Sequence, residues 1–367
     1  MAGIKEGIGA LPGRVAVIYL TPAGGVLAER LERELPEKGI EVEVLPPTAD
    51  PAGLVRGCWG RYEGLALIMA VGIAVRLIAP LLKSKWEDPG VVVVDEGGKF
   101  AVSLLGGHWG KGNSLTRLTA SILGATPVVT TATDVQGRQA VDTLARGWGM
   151  RPVPRELVKR VNGAILRGER VVLYTEWALP ERCRLPGMEV VPWRGDGAAL
   201  AAAEGRPVLI TSRLPQAALS GCLCLCPPSL AAGIGCKRGV SAAEVEEALN
   251  QALRRAGRRR ESVAVLASHE AKVDEVGLLE VARKWGLTLV FFGAGVLGRI
   301  LNENPGLADS EFVRQQMGVG GVCETAALAA VPVGELVLDK TRLGRVTVAL
   351  AEAGLLWSES GLALRRI

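Results

Sequence analysis

The chain contains only two histidines, His108 and His269, and the first stands inside the run Gly106-Gly107-His108-Trp109-Gly110-Lys111-Gly112-Asn113. An imidazole titrates near neutral pH and serves as a general base, while a glycine loop opening a helix offers backbone N–H donors to a developing oxyanion. Together they suit attack of water on a carbonyl. The same residues equally suit a tight turn with a structural histidine, because glycine is free of most steric limits. A phosphate-cradling P-loop does not fit. With Gly110-Lys111 aligned to its Gly-Lys pair, Leu105 falls where the first glycine belongs, and Gly112 replaces the hydroxyl that would hold magnesium.

Further chemistry-bearing residues cluster near the C-terminus. The turn Gly233 to Gly239 has G-x-G-x-x-x-G spacing, which departs from the dinucleotide fingerprint. With Lys237 and Arg238 before a capped helix it suits a carboxylate or phosphate, or else close helix–strand packing. Lys272, Asp274 and Glu275 stand between a strand end and a helix start, where α/β folds place ligand groups and where carboxylates also favour a helix N-terminus. Glu324 follows the glycine turn Gly318 to Gly321 and Cys323, in position to act as a base or to cap its own helix. Arg76 is placed to clamp a carboxylate or to reach solvent. Cys222, Cys224 and Cys226 share one strand face, which reads as a buried face, since three ligands on a flat strand cannot close around a metal.

The elements that must position these residues alternate between strand and helix periods from residue 14 onward. Val15 to Leu20, Ile40 to Leu45, Leu65 to Val71, Val263 to Ala267, Leu287 to Phe292 and Val346 to Ala349 read as strands. Val91 to Val94 and Phe100 to Leu105 form a hairpin around Glu96-Gly97-Gly98. Leu27, Leu31 and Leu35 mark one helix face, and Leu115, Leu118 and Ile122 mark another. Ser241 and Glu244 form a capping box ahead of Val245, Ala248, Leu249, Ala252 and Leu253. Leu278, Val281, Ala282 and Trp285 make a further stripe. Prolines and the low-complexity stretch Gly195 to Gly205 break the pattern in between. The expected fold is α/β, three units with largely parallel sheets, the middle one smaller and irregular, over residues 1–137, 138–228 and 229–367.

Composition narrows the function classes. Charged residues make up 22% and apolar residues 49% of 367, which excludes a disordered tail or a coiled coil. The most apolar window, Leu65 to Leu82, is interrupted by Gly72, Arg76 and Pro80, and an arginine in mid-membrane costs roughly 2.5 to 3.5 kcal/mol. It reads as a strand, a turn and a short helix, in a cytoplasmic protein without a membrane partner. Seven cysteines without C-x-x-C spacing imply reduced thiols and no zinc ribbon. The net charge of +5 favours an anionic partner. Aromatics at 4% supply base stacking poorly, so small polycarboxylates fit better than nucleic acid. The basic run Arg254, Arg255, Arg258, Arg259, Arg260 reads as the solvated end of a helix.

Several linked motifs, in order, resemble the cobalt-precorrin-5A hydrolase family of anaerobic cobalamin biosynthesis. They are Met69 to Arg76 through Asp88-Pro89 and Val94-Asp95-Glu96, then Gly106 to Gly110 with Asn113, and Thr130 to Asp134. Gly233-Ile234-Gly235-Cys236, the stretch from Ala267-Ser268 to Asp274-Glu275, and Gly318 to Glu324 complete the set. Residues from about 140 to 228 contribute little. Two departures stand out: Lys111-Gly112 where the family usually has Gly-Ala, and Ser268-His269-Glu270 where an apolar residue and an aspartate usually follow the serine. No inherited role is carried to position 270.

The resemblance implies a substrate whose δ-lactone joins the ring A acetate to the meso carbon between rings A and D. Family enzymes open it and release a two-carbon fragment as acetaldehyde, giving cobalt-precorrin-5B. Ester opening needs an activated water and oxyanion donors, and the later carbon–carbon cleavage needs an electron sink that the cobalt macrocycle supplies itself. No cofactor and no protein-bound metal are therefore expected. On this reading His108 activates water, with Glu324 or Lys272 assisting proton movement. Arg76, Lys85 and Lys237 bind peripheral carboxylates, and N–H groups around Gly107 and Gly110 face the oxyanion. Gly106, Asn113, Thr131, Gly233, Gly235, Cys236, Asp274, Gly320 and Gly321 complete the expected binding set. Two other classes are weighed beside it: a non-catalytic corrinoid carrier and, from the glycine turns alone, a nucleotide-dependent transferase. The reading leaves room for a homodimer or for contacts with neighbouring pathway enzymes.

Overall fold

The computed structural model describes residues 11–132, 140–177, 188–193, 195, 205–214, 221–307, 310–331, 333–354, 357–358 and 361–362. The chain divides into two compact units, Met1–Gly147 with Ile165–Arg167, and Trp148–Ala164 with Gly168–Ile367. Among the described residues the first carries one six-stranded sheet, and the second carries two five-stranded sheets and a short two-stranded one, Trp357–Ser358 with Gly361–Leu362.

In the first unit β1 (Arg14–Tyr19), β2 (Glu41–Leu45), β3 (Gly64–Ile68), β4 (Gly90–Val94), β5 (Phe100–Leu105) and β6 (Thr126–Val128) run in the order β2-β1-β3-β4-β5-β6. All neighbours are parallel except the β4–β5 hairpin. Every residue of β3 and β4 is buried, as central strands covered on both faces require. Helices α1 (Pro22–Glu34) and α4 (Gly112–Leu123) cover the face of Val15, Val17 and Ala66. Helices α2 (Pro51–Cys58) and α3 (Val71–Ile78) cover that of Ala16, Ile18 and Leu65. The alternation of strand side chains thus feeds two cores from one sheet. The apolar window from Leu65 is a strand, a turn and a short helix, but the strand is shorter than expected: β3 stops at Ile68, Ala70 is extended, and Val71 already opens α3. Among the described residues no helix is long and apolar enough to cross a membrane.

The middle region holds more order than its sequence pattern suggests. After α5 (Val141–Gly147), β7 (Arg151–Val153), α6 (Glu156–Arg167), β8 (Val171–Thr175), β9 (Met188–Pro192), β10 (Arg206–Ile210) and β11 (Leu223–Cys226) follow. The sheet order is β7-β11-β10-β8-β9, parallel except for β7 against β11. Pro152 and Pro192 sit on its two edge strands, where a missing N–H is tolerated, while Pro207 stands second in the central strand β10, near its start. Cys222, Cys224 and Cys226 pack among Val172, Tyr174 and Leu209, the buried strand face that their spacing predicts. Burial pushes the Cys222 thiol up to about 12. Most of Gly195 to Gly205 lies outside the described residues.

The third sheet has β12 (Leu230–Cys236), β13 (Val263–His269), β14 (Thr288–Phe292), β15 (Gly334–Leu343) and β16 (Val346–Ala353) in the order β14-β13-β12-β16-β15. Helices α7 (Ala242–Arg255) and α8 (Val276–Trp285) pack on one face. Helices α9 (Ala294–Glu303), α10 (Glu311–Met317) and α11 (Cys323–Ala329) follow, and α9 and α11 pack on the other face. The capping box is formed: the Ser241 hydroxyl accepts from the Glu244 N–H at 3.3 Å, and the Glu244 carboxylate accepts from the Ser241 N–H at 2.9 Å. Val245, Ala248, Leu249, Ala252 and Leu253 are all buried, and each fully buried valine or leucine contributes about 1.5 to 3 kcal/mol.

The basic run needs correction as a solvated helix end. Only Arg254 and Arg255 lie in the last turn of α7. Arg258 pairs with Glu352 at 2.9 Å, and the buried Arg259 donates to the Arg213 carbonyl and the Cys224 sulfur. The Arg259 guanidinium reaches the middle sheet at Cys224 and that of Arg258 is held on β16 of the third, which is why two cations in five are withdrawn from water.

Candidate functional site

The glycine loop joins β5 to α4, and its glycines are required by close backbone approach. Gly106 has φ +64, and a Cβ there would lie 2.7 Å from the Pro89 carbonyl oxygen. A Cβ on Gly90 would meet the Gly110 carbonyl at 2.3 Å, so the start of β4 and the returning limb of the loop touch through main chain alone. The loop closes on itself. Lys111 N–H donates to the His108 carbonyl, Gly112 N–H to Gly106, and Asn113 N–H to Gly107. None of these three bonds uses the amides of Gly107 or Gly110.

Asn113 anchors the loop from below. Its side-chain oxygen accepts from the Ser103 hydroxyl at 2.7 Å, and its Nδ2 donates to the Thr131 hydroxyl at 3.0 Å. Asn113 is buried, so these bonds satisfy a group that would be costly alone. Thr131 is thereby held beside the loop.

His108 projects toward α5, where its Nδ1 lies 3.5 Å from Oδ1 of Asp142. The second oxygen of Asp142 faces the Lys85 ammonium at 3.4 Å. Asp142 has 5% of its side chain exposed, so its carboxylate meets both groups largely out of water. An acceptor at Nδ1 selects the tautomer that carries its proton there and leaves Nε2 as the basic nitrogen. Sequence reasoning did not reach Asp142. It sits in the proline-interrupted region, where no motif signals it, and only its place in the first turn of a helix gave a cue.

Two indoles and two cations frame the pair. Trp86 and Trp109 meet edge to face with centroids 4.9 Å apart. Lys85 lies 4.5 Å from the Trp86 ring and Arg146 lies 5.5 Å from that of Trp109. Burial pushes the Arg146 guanidinium down to about 10 while Glu63 acts in the opposite sense, and its Nε is buried without a hydrogen-bond partner. Burial also works against ionisation of Glu63. The Lys111 ammonium, 2.6 Å away, overcomes that and holds the carboxyl below its ordinary value. The arrangement suits a flat, anionic substrate presented to a histidine base. Arg76 is exposed on α3 and donates to the Gly72 carbonyl at 3.1 Å.

The remaining expected residues lie in the second unit. Gly233 and Gly235 serve close packing: a Cβ on Gly233 would overlap the Cys323 carbonyl, and one on Gly235 would lie 2.6 Å from the Thr347 hydroxyl. Lys237 is exposed. Asp274 is engaged by Arg238, which also donates to the Ala271 carbonyl, and that bond holds the Asp274 carboxyl below its ordinary value. Lys272 is buried with its Nζ 3.7 Å from Glu275, whose other oxygen accepts from the Gly239 and Val240 amides. Cys236 is half-buried, and burial pushes its thiol up. The carbonyls of Gly320 and Gly321 accept from Ser310 N–H and the Thr325 hydroxyl. Glu324 is buried, accepts from Lys340 N–H at 3.1 Å, and keeps its second oxygen without a partner.

Comparison with known proteins gives these residues a context. Three family models match consecutive stretches: cobalamin synthesis G N-terminal over residues 53–134, cobalamin biosynthesis central region over 139–227, and cobalamin synthesis G C-terminus over 230–351. A cobalt-precorrin-5A hydrolase of Salmonella typhimurium is 35% identical over 368 residues, covering 93% of this chain and 98% of that one. One from Priestia megaterium is 33% identical over 360 residues, covering 92% and 95%. Among solved structures, a cobalamin biosynthesis protein G homolog from Sulfolobus solfataricus aligns over 92% of this chain and 96% of its own, with 22% identity and a TM-score of 0.39. Sharing a third of its residues with these hydrolases over nearly their whole length, the chain belongs to the cobalt-precorrin-5A hydrolase family of cobalamin biosynthesis.

Proposed function

We propose that the chain is a hydrolase that opens the ring A δ-lactone of cobalt-precorrin-5A and releases acetaldehyde, giving cobalt-precorrin-5B. The observation that carries the chemistry is the 3.5 Å approach of Nδ1 of His108, on the glycine loop, to the buried carboxylate of Asp142, on α5. With Nδ1–H directed at Asp142, Nε2 takes a proton from water as its oxygen bonds to the lactone carbonyl carbon. The loop amides of Gly107 and Gly110 are the candidate donors for the oxyanion. The ester C–O bond then breaks. The freed alkoxide collapses to the aldehyde as its carbon–carbon bond to the ring breaks, and that electron pair passes into the cobalt macrocycle of the substrate.

Lys85 and Arg146, each against an indole, supply positive charge for the peripheral carboxylates of this substrate. In the second unit, Glu324 with its unpartnered buried oxygen is the candidate for moving a proton during release, and Lys272 is the other. The reading includes a cytoplasmic setting.

Anaerobic incubation of the purified protein with cobalt-precorrin-5A, following product mass and free acetaldehyde, tests this. Loss of the two-carbon fragment with acetaldehyde in equal amount is expected. Tight binding without turnover would make the chain a carrier instead. A His108→Ala variant that keeps its rate of acetaldehyde release would remove His108 from the mechanism.

A further inference from the structure

The edges of the three large sheets differ in a way that the lactone chemistry does not explain. A strand at a sheet edge presents unpaired N–H and C=O groups, and an edge that stays free is blunted by charge, proline, a bulge or short length. Five of the six edge strands are blunted in this way. β2 carries Glu41 and Glu43, β6 and β7 are three residues long with a central proline each, and β9 ends on Pro192. β15 has two register shifts and carries Lys340 between them and its end.

The sixth edge, β14, has none of these features. It reads Thr288-Leu289-Val290-Phe291-Phe292, without charge or proline, and its register against β13 is unbroken. β-Branched and aromatic residues of this kind suit a strand with neighbours. Among the described residues no strand pairs with its other side, and Leu289, Val290 and Phe291 are only partly buried. The flanking helices leave apolar surface beside it. α7 lies over β16 and β15, and α8 lies over β14. Lys284 and Trp285 mark the α7 flank of α8, since both bond to Glu246. Leu279 stands about 120° or more around the helix from those two, on the opposite flank, and is 39% exposed. On the other face of the sheet, Val296 and Ile300 of α9 are also only partly buried.

We infer that β14 is a dimerisation edge, at which two copies of this chain pair their β14 strands antiparallel about a two-fold axis through Val290 and join two five-stranded sheets into one of ten. An uncharged edge meets itself without repulsion. A two-fold axis normal to the sheet also sets α8 beside α8 on one face and α9 beside α9 on the other, so the operation that pairs the strands covers the apolar flanks as well. A single added peptide strand would leave them in water. The register follows from the alternation of side chains. The axis preserves faces, so opposed residues must share one, and Thr288, Val290 and Phe292 alternate with Leu289 and Phe291. Among registers that obey this, Val290 opposite Val290 alone pairs all five residues.

Sedimentation velocity of the full chain from about 1 to 100 µM tests this, a range that brackets a dimer of ordinary strength. The wild type is expected to pass from monomer to dimer. Val290→Lys and Val290→Glu each set like charges against one another on the axis, and each alone is expected to weaken association about tenfold or more. Mixed in equal amounts, the two variants meet with opposite charges at position 290, and the dimer is expected to return. Hydrogen exchange reads the same edge without any substitution: the amides on the free side of residues 288–292 should slow about tenfold or more from the lowest to the highest concentration of wild type. A wild type that stays monomeric throughout would overturn the inference, as would a dimer that forms without slowing exchange in β14. So would a mixture no more dimeric than either variant alone, where both keep the near-UV circular dichroism of the wild type.

Discussion

One oxygen of Asp142 approaches His108 at 3.5 Å while the other approaches Lys85 at 3.4 Å, so a single buried carboxylate orients the base and anchors a cation. An amide at this position keeps the volume, loses the charge, and can present a donor to Nδ1, which favours the wrong tautomer. Asp142→Asn is therefore expected to lower kcat by about 10² to 10⁴-fold, with KM changed much less. Lys85→Ala acts on binding, and a rise in KM of about tenfold is expected from loss of one charged contact. Steady-state acetaldehyde release measures both. Equal effects of the two variants on kcat would show that Asp142 serves the cation and not the base.

Lys111 is the one described non-glycine residue with a positive φ, at +64. The left-handed conformation costs an ordinary side chain about 1 kcal/mol, and here the Nζ–Glu63 pair at 2.6 Å offsets it. Lys111→Ala keeps the strain and loses the pair, so a loss of about 1 to 2 kcal/mol is expected. Lys111→Gly relieves the strain and should stay within about 1 kcal/mol of the parent. Urea unfolding of the three proteins gives the ranking, and an alanine variant as stable as the glycine one would contradict it.

The fold was legible where hydrophobic period and element coincide. Val245 to Leu253 on α7 shows this: the capping box sets its start and the four-residue spacing sets its buried face. Leu65 to Ile78 was legible as strand followed by helix, though the break falls at Met69-Ala70 and both Gly72 and Arg76 lie inside α3. The middle sheet was not, since prolines on its edge strands mimic loop composition. At the site, His108, Asn113 and Lys85 were reached from sequence. Asp142 and Arg146 were not: their partners lie far away in the chain, and a lone acid or arginine on a helix has no local signature. Gly233 was visible only as a glycine, while the reason for it, the backbone of Cys323 against it, is purely tertiary.

Glu63 gives a pH dependence with a definite sign. Its folded-state carboxyl is held below the ordinary 4.5 by Lys111 despite burial, so it contributes stability above 4.5. That contribution is lost as pH falls from there through the lower folded value. Glu63→Gln is expected to be less stable than the parent at pH 7, with the gap closing as the pH is lowered below 4.5. Denaturant unfolding at pH 7 and at steps below 4.5 measures it. A gap that stays constant through that window would mean the side chain acts by packing alone.

Two glycines with opposite surroundings offer a paired test of the third sheet. A Cβ on Gly233 would sit 1.8 Å from the Cys323 carbonyl oxygen and 2.6 Å from the Ala327 nitrogen, both backbone atoms of α11 that no rotamer change can move aside. The helix must lift from β12, and overpacking of this kind costs about 1 to 3 kcal/mol or more. Gly298, inside α9, has open space where its Cβ would point. There alanine only removes freedom from the unfolded chain and favours the helix, a gain of about 0.5 to 1 kcal/mol. Thermal unfolding should therefore move down for Gly233→Ala and up for Gly298→Ala. If the two shifts had the same sign, the contact between β12 and α11 would not be what fixes glycine at position 233.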